Sequence, residues 1–285
     1  MWGKFISIFM FLQLGSFVFA QINPGARQIA LSNSDVAQCD DVFSLFNNPA
    51  GLAQLGWREI GLYYSPAPFG IKELANGYLS YIESTEFGSF ALGAMTYGFD
   101  LYKENKISFA YSNRFEKKYF AGITINFHTL SIKNYGDDNT YTINLGGLAY
   151  LTENLKLGFS FHNVTRSTFG NEKNQVPIIF NTGLNYLPIE YASLNAAVEK
   201  DLEYPLSLRF GLEFFPIKYI YLRTGFSNEP ERYSAGIGIN YSIIELDYAV
   251  FTHQDLGLTH QAGIIINFSG DEPRINKIKS FLGFE

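Results

Sequence analysis

The sequence predicts an all-β protein whose strands close into a transmembrane barrel of about 14 antiparallel strands. Three observations predict this fold. Apolar side chains alternate with polar ones in one segment after another, aromatic residues and charged residues each make up 17% of the chain, and no apolar stretch after the first 20 residues approaches the roughly 18 that a membrane helix needs. A typical soluble domain carries about 25% charged residues. The composition therefore excludes an ordinary cytosolic protein.

The first element is a predicted signal peptide at residues 1–20, MWGKFISIFMFLQLGSFVFA. It has a positive charge at Lys4, an apolar core, and small side chains at Val18 and Ala20, which is typical of a leader that is cleaved after Ala20. An N-terminal membrane anchor is the alternative interpretation. The only cysteine, Cys39, is too far from the apolar core to be a lipoprotein cysteine. We therefore expect an exported chain that is not lipid-anchored at its start.

The barrel is predicted at residues 57–268, where hydrophobicity alternates with a period of two. In PLSLRFGLEFF, Leu208, Phe210 and Leu212 alternate with Arg209 and Glu213, so the strand has one apolar and one polar face. Fourteen segments show this pattern, an even number as expected of a single-chain outer-membrane barrel: 57–65, 76–84, 86–97, 104–115, 118–131, 138–151, 154–164, 177–187, 191–200, 204–216, 218–227, 231–242, 244–254 and 258–268.

Link lengths separate a barrel from a large soluble β-sandwich or β-helix. Links after even-numbered segments are very short, as in RFEKK and TENLK, and most links after odd-numbered segments are predicted to be longer. This asymmetry is typical of short periplasmic turns and longer extracellular loops. Tyr and Phe near the segment ends suit aromatic girdles at the two membrane interfaces: Tyr63, Tyr64, Tyr97, Phe99, Phe214, Phe215, Tyr219 and Tyr221. The predicted location is the cell outer membrane, with its lipid as a partner.

Residues 21–56 precede the first strand and contain the turn FNNPAGLA. Pro49 lacks a backbone donor and biases Asn48 away from helix, and the side chains of Asn47 and Asn48 can bond neighbouring backbone groups. Alone, this motif predicts only a turn. A solvated linker and a segment folded into the barrel are both compatible with it.

This region resembles the N-terminal signature of the PorV/PorQ family, within the wider group of FadL-type fourteen-stranded barrels. The resemblance rests on Gly25-Ala26-Arg27, Asp40-Asp41 and the run Asn48, Pro49, Ala50, Gly51 and Leu52. The C-terminal segment LDYAVFTHQDLGLTHQAGIIINF resembles the same family, through Asp255-Leu256-Gly257 and Thr259-His260. The resemblance implies that residues 21–56 fold inward as a hatch, with Asn47–Leu52 closing the periplasmic end of the lumen.

Five charged residues on neighbouring late strands share the polar, lumen-facing phase: Glu199, Arg209, Glu213, Glu245 and Asp247. They predict either a charged pathway or mutually paired charges that fill a narrow interior, and barrel lumens are ordinarily polar. His128 and His162 also have the lumen phase, but no carboxylate lies at metal-ligand spacing. We interpret them as side chains that fill the lumen, and we predict no metal or cofactor.

No catalytic motif is present in the sequence, so we predict a protein that is not an enzyme. The net charge of -6 and the scattered basic residues argue against nucleic acid as a partner. In the tail, residues 269–285, the apolar residues Ile275, Ile278 and Leu282 have the spacing of one helix stripe. We therefore expect a short helix there, on the periplasmic side.

Two functions from different classes follow. The PorV/PorQ resemblance implies a non-enzymatic accessory or shuttle component of type IX protein secretion, with secretion-system proteins or secreted cargo as partners. The alternative is a FadL-like passive transporter, in which a hydrophobic small molecule crosses the outer membrane through the barrel. A barrel of another role, in an envelope without type IX secretion, is a third possibility.

Overall fold

The computed structural model describes residues 24–170, 174–253, 256–270 and 272–284, apart from the side chains of residues 174 and 175. The predicted signal peptide and its cleavage site after Ala20 lie outside the described residues.

Fourteen antiparallel strands form one closed barrel, as predicted, in which β1 pairs with both β2 and β16. A separate two-stranded hairpin, β8 with β9, lies in the link between β7 and β10. The strands are β1 Glu59–Ser65, β2 Asn76–Thr85, β3 Gly88–Phe99, β4 Tyr102–Phe115, β5 Tyr119–Ile132, β6 Gly136–Thr152, β7 Leu155–His162, β8 Thr168–Phe169, β9 Asn174–Gln175, β10 Ile179–Ile189, β11 Ala192–Asp201, β12 Ser207–Ile217, β13 Ile220–Asn228, β14 Glu231–Tyr241, β15 Ile244–His253 and β16 Gly257–Asn267.

The two ends of the barrel differ less in link length than the sequence analysis predicted. One end, here called the turn end, carries links 86–87, 116–118, 153–154, 190–191, 218–219 and 242–243. At the opposite end, the loop end, only links 66–75, 163–178 and 202–206 are long, and the others have two or three residues. The expectation that most loop-end links are longer was therefore wrong, because β3, β4 and β6 continue to Phe99, Tyr102 and Gly136 at the loop end, beyond the predicted limits 97, 104 and 138, and absorb the residues assigned to loops.

The two faces of the wall match the predicted alternation. On β12, the side chains of Leu208 and Phe210 are 39% and 50% exposed on the outer surface, whereas Arg209 and Glu213 are buried inside the barrel. An apolar outer surface of this kind is the one that faces lipid in a membrane barrel. The assignment of four rings to aromatic girdles was wrong, because they occupy the lumen phase of their strands: Tyr63, Tyr97, Phe215 and Tyr221.

Residues 24–56 of the predicted segment 21–56 fold inside the barrel, and they are called the hatch below; residues 21–23 lie outside the described residues. The hatch forms helix α1 Ala26–Ala30, helix α2 Ser44–Asn47 and the 3-10 helix Pro49–Gln54, and nearly all of its side chains are buried. The predicted tail helix is present as α3 Arg274–Leu282, which buries Ile278 and Leu282 against the turn end. Two short 3-10 turns, Pro68–Gly70 and Lys72–Leu74, lie in link 66–75. Within the described part of the chain, none of the helices has the length and hydropathy of a membrane span.

Candidate functional site in the barrel lumen

A belt of lumen-facing glycines gives the hatch its room. At each of nine positions a built Cβ atom would lie within 3.0 Å of a hatch atom, a distance that real Cβ atoms essentially never show. The belt comprises Gly61, Gly93, Gly122, Gly146, Gly158, Gly183, Gly211, Gly225 and Gly236. Because these glycines lie on nine different strands, the hatch contacts the wall around most of the circumference. The wall is therefore shaped to hold this segment.

The predicted motif Asn47–Leu52 packs against β5 and β6. The Asn48 amide donates to the carbonyl oxygens of Val36 (2.7 Å) and Gly147 (3.2 Å), and its Oδ1 accepts from the Ala50 N–H. Pro49 occupies the first turn of the 3-10 helix, where a missing donor costs nothing. Asn48 thus satisfies backbone groups of the hatch and binds the hatch to the wall.

The other motif residues are equally constrained. Asn47 donates to the Asp35 carboxylate at 3.0 Å, and Leu52 is fully buried. A Cβ on Gly51 would lie 1.8 Å from the Cys39 carbonyl oxygen, so only glycine fits there. Gly122 and Gly146, which the motif contacts, lie in the turn-end halves of their strands.

Ion pairs hold the hatch to the opposite wall. Arg27 of α1 makes two 3.0 Å bonds to the Glu213 carboxylate and also pairs with Asp40 of the hatch. Glu213 accepts further bonds from Arg223 (2.5 Å) and from the Gln38 amide (2.8 Å). Since every one of these side chains is almost completely enclosed, removing one partner would leave an uncompensated buried charge.

The five predicted lumen charges all have partners. Glu199 pairs with Arg209, Glu213 with Arg27 and Arg223, Asp247 with Arg223, and Glu245 with Arg274. They form two separate groups, because the Glu199–Arg209 pair lies toward the loop end and the others lie toward the turn end. Of the two interpretations, this geometry favours paired charges that hold the hatch and α3 in place.

Arg274 fixes α3 at the turn end. Its guanidinium donates to Glu59 (2.6 Å), to Glu245 (2.7 Å) and to the Asp40 carbonyl oxygen (2.7 Å), so it joins the tail to the wall and to the hatch. Between α3, the hatch and the wall is a space of about 680 Å³, part of which is open to solvent, and Tyr150, Tyr221 and Ile278 line it together with charged residues. The sequence analysis named Arg27 only as part of the family resemblance and missed Arg223 and Arg274, for which the lumen phase of the strand and the position on the tail helix were the available signals.

A lumen-facing aromatic cluster lies at the loop end, and the sequence analysis also missed it. Tyr78 stacks edge-on with Phe46 of the hatch (5.2 Å between ring centroids) and with Tyr63 (5.8 Å). Phe69 of link 66–75 contacts Phe251 at 5.7 Å. Met95 and Tyr97 pack against the same cluster. One side of this mouth is therefore apolar, in contrast to the polar lumen of an ordinary porin.

One hatch carboxyl is poised to titrate near neutrality. Burial, and then the neighbouring Asp41 carboxylate, raise the pKa of Asp35 to about 7. Burial also raises the pKa of Asp41, although Arg27 lies 3.6 Å away, because the desolvation of a fully enclosed carboxylate outweighs this attraction. The Asp35 Oδ1 atom is buried without a hydrogen-bond partner among the described residues, which is consistent with a neutral carboxyl.

His128 and His162 lie in the lumen, where His128 contacts Thr142 (3.0 Å) and His162 contacts Ser160 (3.2 Å). Within the described ranges, no group of three or more His, Cys, Asp and Glu side chains is arranged to hold a metal ion.

Comparison with known proteins gives neighbours in structure but none in sequence. No family model and no curated protein matches the chain. The toluene transporter TodX of Pseudomonas putida superposes with a TM-score of 0.61 at 12% identity, over 85% of this chain and 96% of TodX. A Pseudomonas aeruginosa FadL homologue superposes with a TM-score of 0.57 at 11% identity, over 86% and 97% of the two chains. The chain thus has the fold of the FadL-type outer-membrane barrels.

Proposed function

We propose that this protein is a passive transporter that carries hydrophobic small molecules across the outer membrane, with the hatch as its closed gate. The observation that carries the proposal is the aromatic cluster at the loop-end mouth, where Tyr63, Tyr78 and Phe251 face the lumen. Binding sites for apolar molecules are concave and lined mainly by aromatic and aliphatic side chains. The rings are almost completely buried against the hatch and one another, so an apolar molecule reaches them only when the hatch shifts.

The hatch supplies a second argument. It fills the barrel at the level of the glycine belt, so a molecule that enters at the loop end meets α2 and Phe46 before it reaches the turn-end space. Passage therefore requires the hatch to shift. The FadL-type fold supports the same proposal, since one structural neighbour is a toluene transporter.

An uptake assay in intact cells tests this proposal, because the outer leaflet must be present as the barrier to the apolar solute. Cells that lack their own hydrophobic transporters should take up radiolabelled toluene faster when they express this protein, whereas sucrose uptake should not change. Phe251→Ala should reduce toluene uptake. Phe210→Ala, on the outer face of β12, is the matched control and should not. Toluene uptake equal to that of cells with an empty vector would contradict the proposal.

The role in type IX secretion predicted from the PorV/PorQ resemblance is a second hypothesis, and it rests on the sequence motifs alone. Gentle detergent extraction from the native membrane, followed by identification of the proteins that co-purify, separates the two functions. Secretion-system components or secreted cargo in stoichiometric amount would favour the secretion role. A barrel that carries only lipid would favour transport.

A further inference from the structure

Lys106 is a buried cation in the lumen, and none of the described carboxylates is in contact with it. Its residue is only 7% exposed, and its ammonium lies over the rings of Phe46 and Tyr78, at 5.3 and 5.8 Å from their centroids. Among the described residues, no carboxylate oxygen lies within 4.0 Å of the Lys106 Nζ atom, the limit for an ion pair. No described hydrogen-bond acceptor binds this ammonium either. Glu104, two residues away on the same face, accepts instead from the Tyr102 hydroxyl.

Lys106 lines a polar chamber between α2 of the hatch and link 163–178. The other lining residues are Phe46, Asn126, His128, Thr142, Asn144, His162, Asn163, Val176 and Pro177, and none of them is acidic. The Oδ1 atom of Asn144 accepts from the Asn163 N–H at 3.0 Å, and its Nδ2 donor has no partner among the described residues. Asn144 is only 9% exposed, and its Nδ2 is thus a second donor without a described partner that lines the chamber.

Within the described residues, the Lys106 ammonium has neither an ion-pair partner nor a hydrogen-bond acceptor, and the Asn144 amide nitrogen has no acceptor, although both residues are more than nine-tenths buried. Burial of a charge is unfavourable unless a partner compensates it, and aromatic faces offset only part of that cost. Ionisable residues that face the interior of a membrane protein commonly mark a path or site for a charged ligand. The chamber therefore has the cation and the hydrogen-bond donors of an anion site, and none of its lining residues supplies a negative charge.

We propose that this chamber binds a small hydrophilic oxyanion, a carboxylate or a phosphate, with Lys106 as its counter-ion and Asn144 as a hydrogen-bond donor. The space is about 350 Å³ including part that is open to solvent, and most of its lining is amide, hydroxyl or imidazole. A hydrocarbon chain would leave these groups without partners, so the polar lining selects against it. This inference does not depend on transport of hydrophobic molecules.

Isothermal titration calorimetry of the full-length barrel in detergent tests the site. Sodium phosphate and sodium acetate are titrated separately, with sodium chloride at matched ionic strength as the blank. We expect binding of at least one of the two oxyanions, and a loss of affinity of about tenfold or more in Lys106→Met, as for a hydrogen bond to a charged group. Heat released by phosphate alone or by acetate alone identifies which oxyanion the chamber prefers.

Two further variants keep the result interpretable. Lys106→Arg retains the charge and should retain binding if the variant folds, which heat-dependent electrophoretic mobility reports. Lys103→Met is the matched control, since Lys103 lies on the same strand but is exposed on the opposite face. The proposal is overturned if the wild-type protein binds neither oxyanion, or if folded Lys106→Met and Lys103→Met bind equally well.

Discussion

Substitution of one belt glycine should loosen the hatch without disturbing the barrel. A Cβ on Gly122 would lie 2.4 Å from the Pro49 carbonyl carbon and 2.6 Å from the Ala50 nitrogen. These are backbone atoms that cannot rotate aside, so Gly122→Ala requires the turn to move by roughly 1 Å to reach ordinary contact distance. Overpacking of this kind costs about 1–3 kcal/mol. The population with a displaced hatch should therefore rise roughly 5- to 150-fold.

Cys39 reports this population directly. It is the only cysteine, it is 1% exposed, and it lies inside the hatch next to the motif. Burial raises the pKa of its thiol, so the thiol stays protonated and unreactive while the hatch is docked. When reclosing is faster than labelling, the rate of maleimide labelling is proportional to the displaced population. Gly122→Ala should thus increase the rate of Cys39 labelling by the same roughly 5- to 150-fold.

The matched control is Gly77→Ala, because Gly77 also lies in a strand but a Cβ there would have no neighbour closer than 3.6 Å. It should label at the wild-type rate. If folded Gly122→Ala labels no faster than Gly77→Ala, the hatch is not held by close contact with the belt, and the packing argument is wrong.

Three other perturbations follow from the same contacts. Since the folded hatch holds a proton on Asp35 up to about pH 7, and an unfolded aspartate releases it near pH 4, hatch stability should fall as the pH rises between those values. Cys39 labelling, normalised to a free thiol, should then be faster at pH 8 than at pH 5.5 in the wild type, and Asp35→Asn should reduce the difference, with the remainder coming from Asp41, whose pKa is also raised by burial. Arg274→Met leaves Glu59 and Glu245 buried without their cation, which should destabilise α3 docking by about 3–5 kcal/mol. Faster protease cleavage within the tail, measured against Lys279→Met, would show this, and equal cleavage would contradict it. Deletion of residues 46–53 should leave a folded barrel, because the strands pair without the hatch, but should raise conductance in planar bilayers; unchanged conductance would argue against a gate.

The strands were predictable because their signal is local. In PLSLRFGLEFF, the polarity of each side chain indicates which face of the strand it lies on, because successive side chains point to opposite faces. The difference in polarity between the two faces is large, since one face contacts lipid and the other lines a polar lumen. The same alternation fails at strand ends, where polar residues occupy both faces, and this is why β6 extends beyond the predicted segment 138–151 at both of its ends. The aromatic pairs near strand ends were misassigned for a related reason. Tyr63 and Tyr64 are neighbours on one strand, so only one of the two rings can face lipid. The sequence analysis assigned both rings to a girdle, but only Tyr64 is exposed on the outer surface.

The site was less predictable because its contacts join residues that are far apart in the chain. Arg27 and Glu213 are separated by 186 positions, and no spacing rule connects a hatch arginine to a strand glutamate. The belt glycines did leave a signal, since Gly158 and Gly211 occupy polar-phase positions where a porin strand would carry a larger polar side chain. A glycine in the interior of a strand weakens it unless another backbone approaches closely. Nine such glycines on one phase therefore indicate a segment that approaches the wall closely, and among the described residues that segment is the one that contains Asn48-Pro49-Ala50.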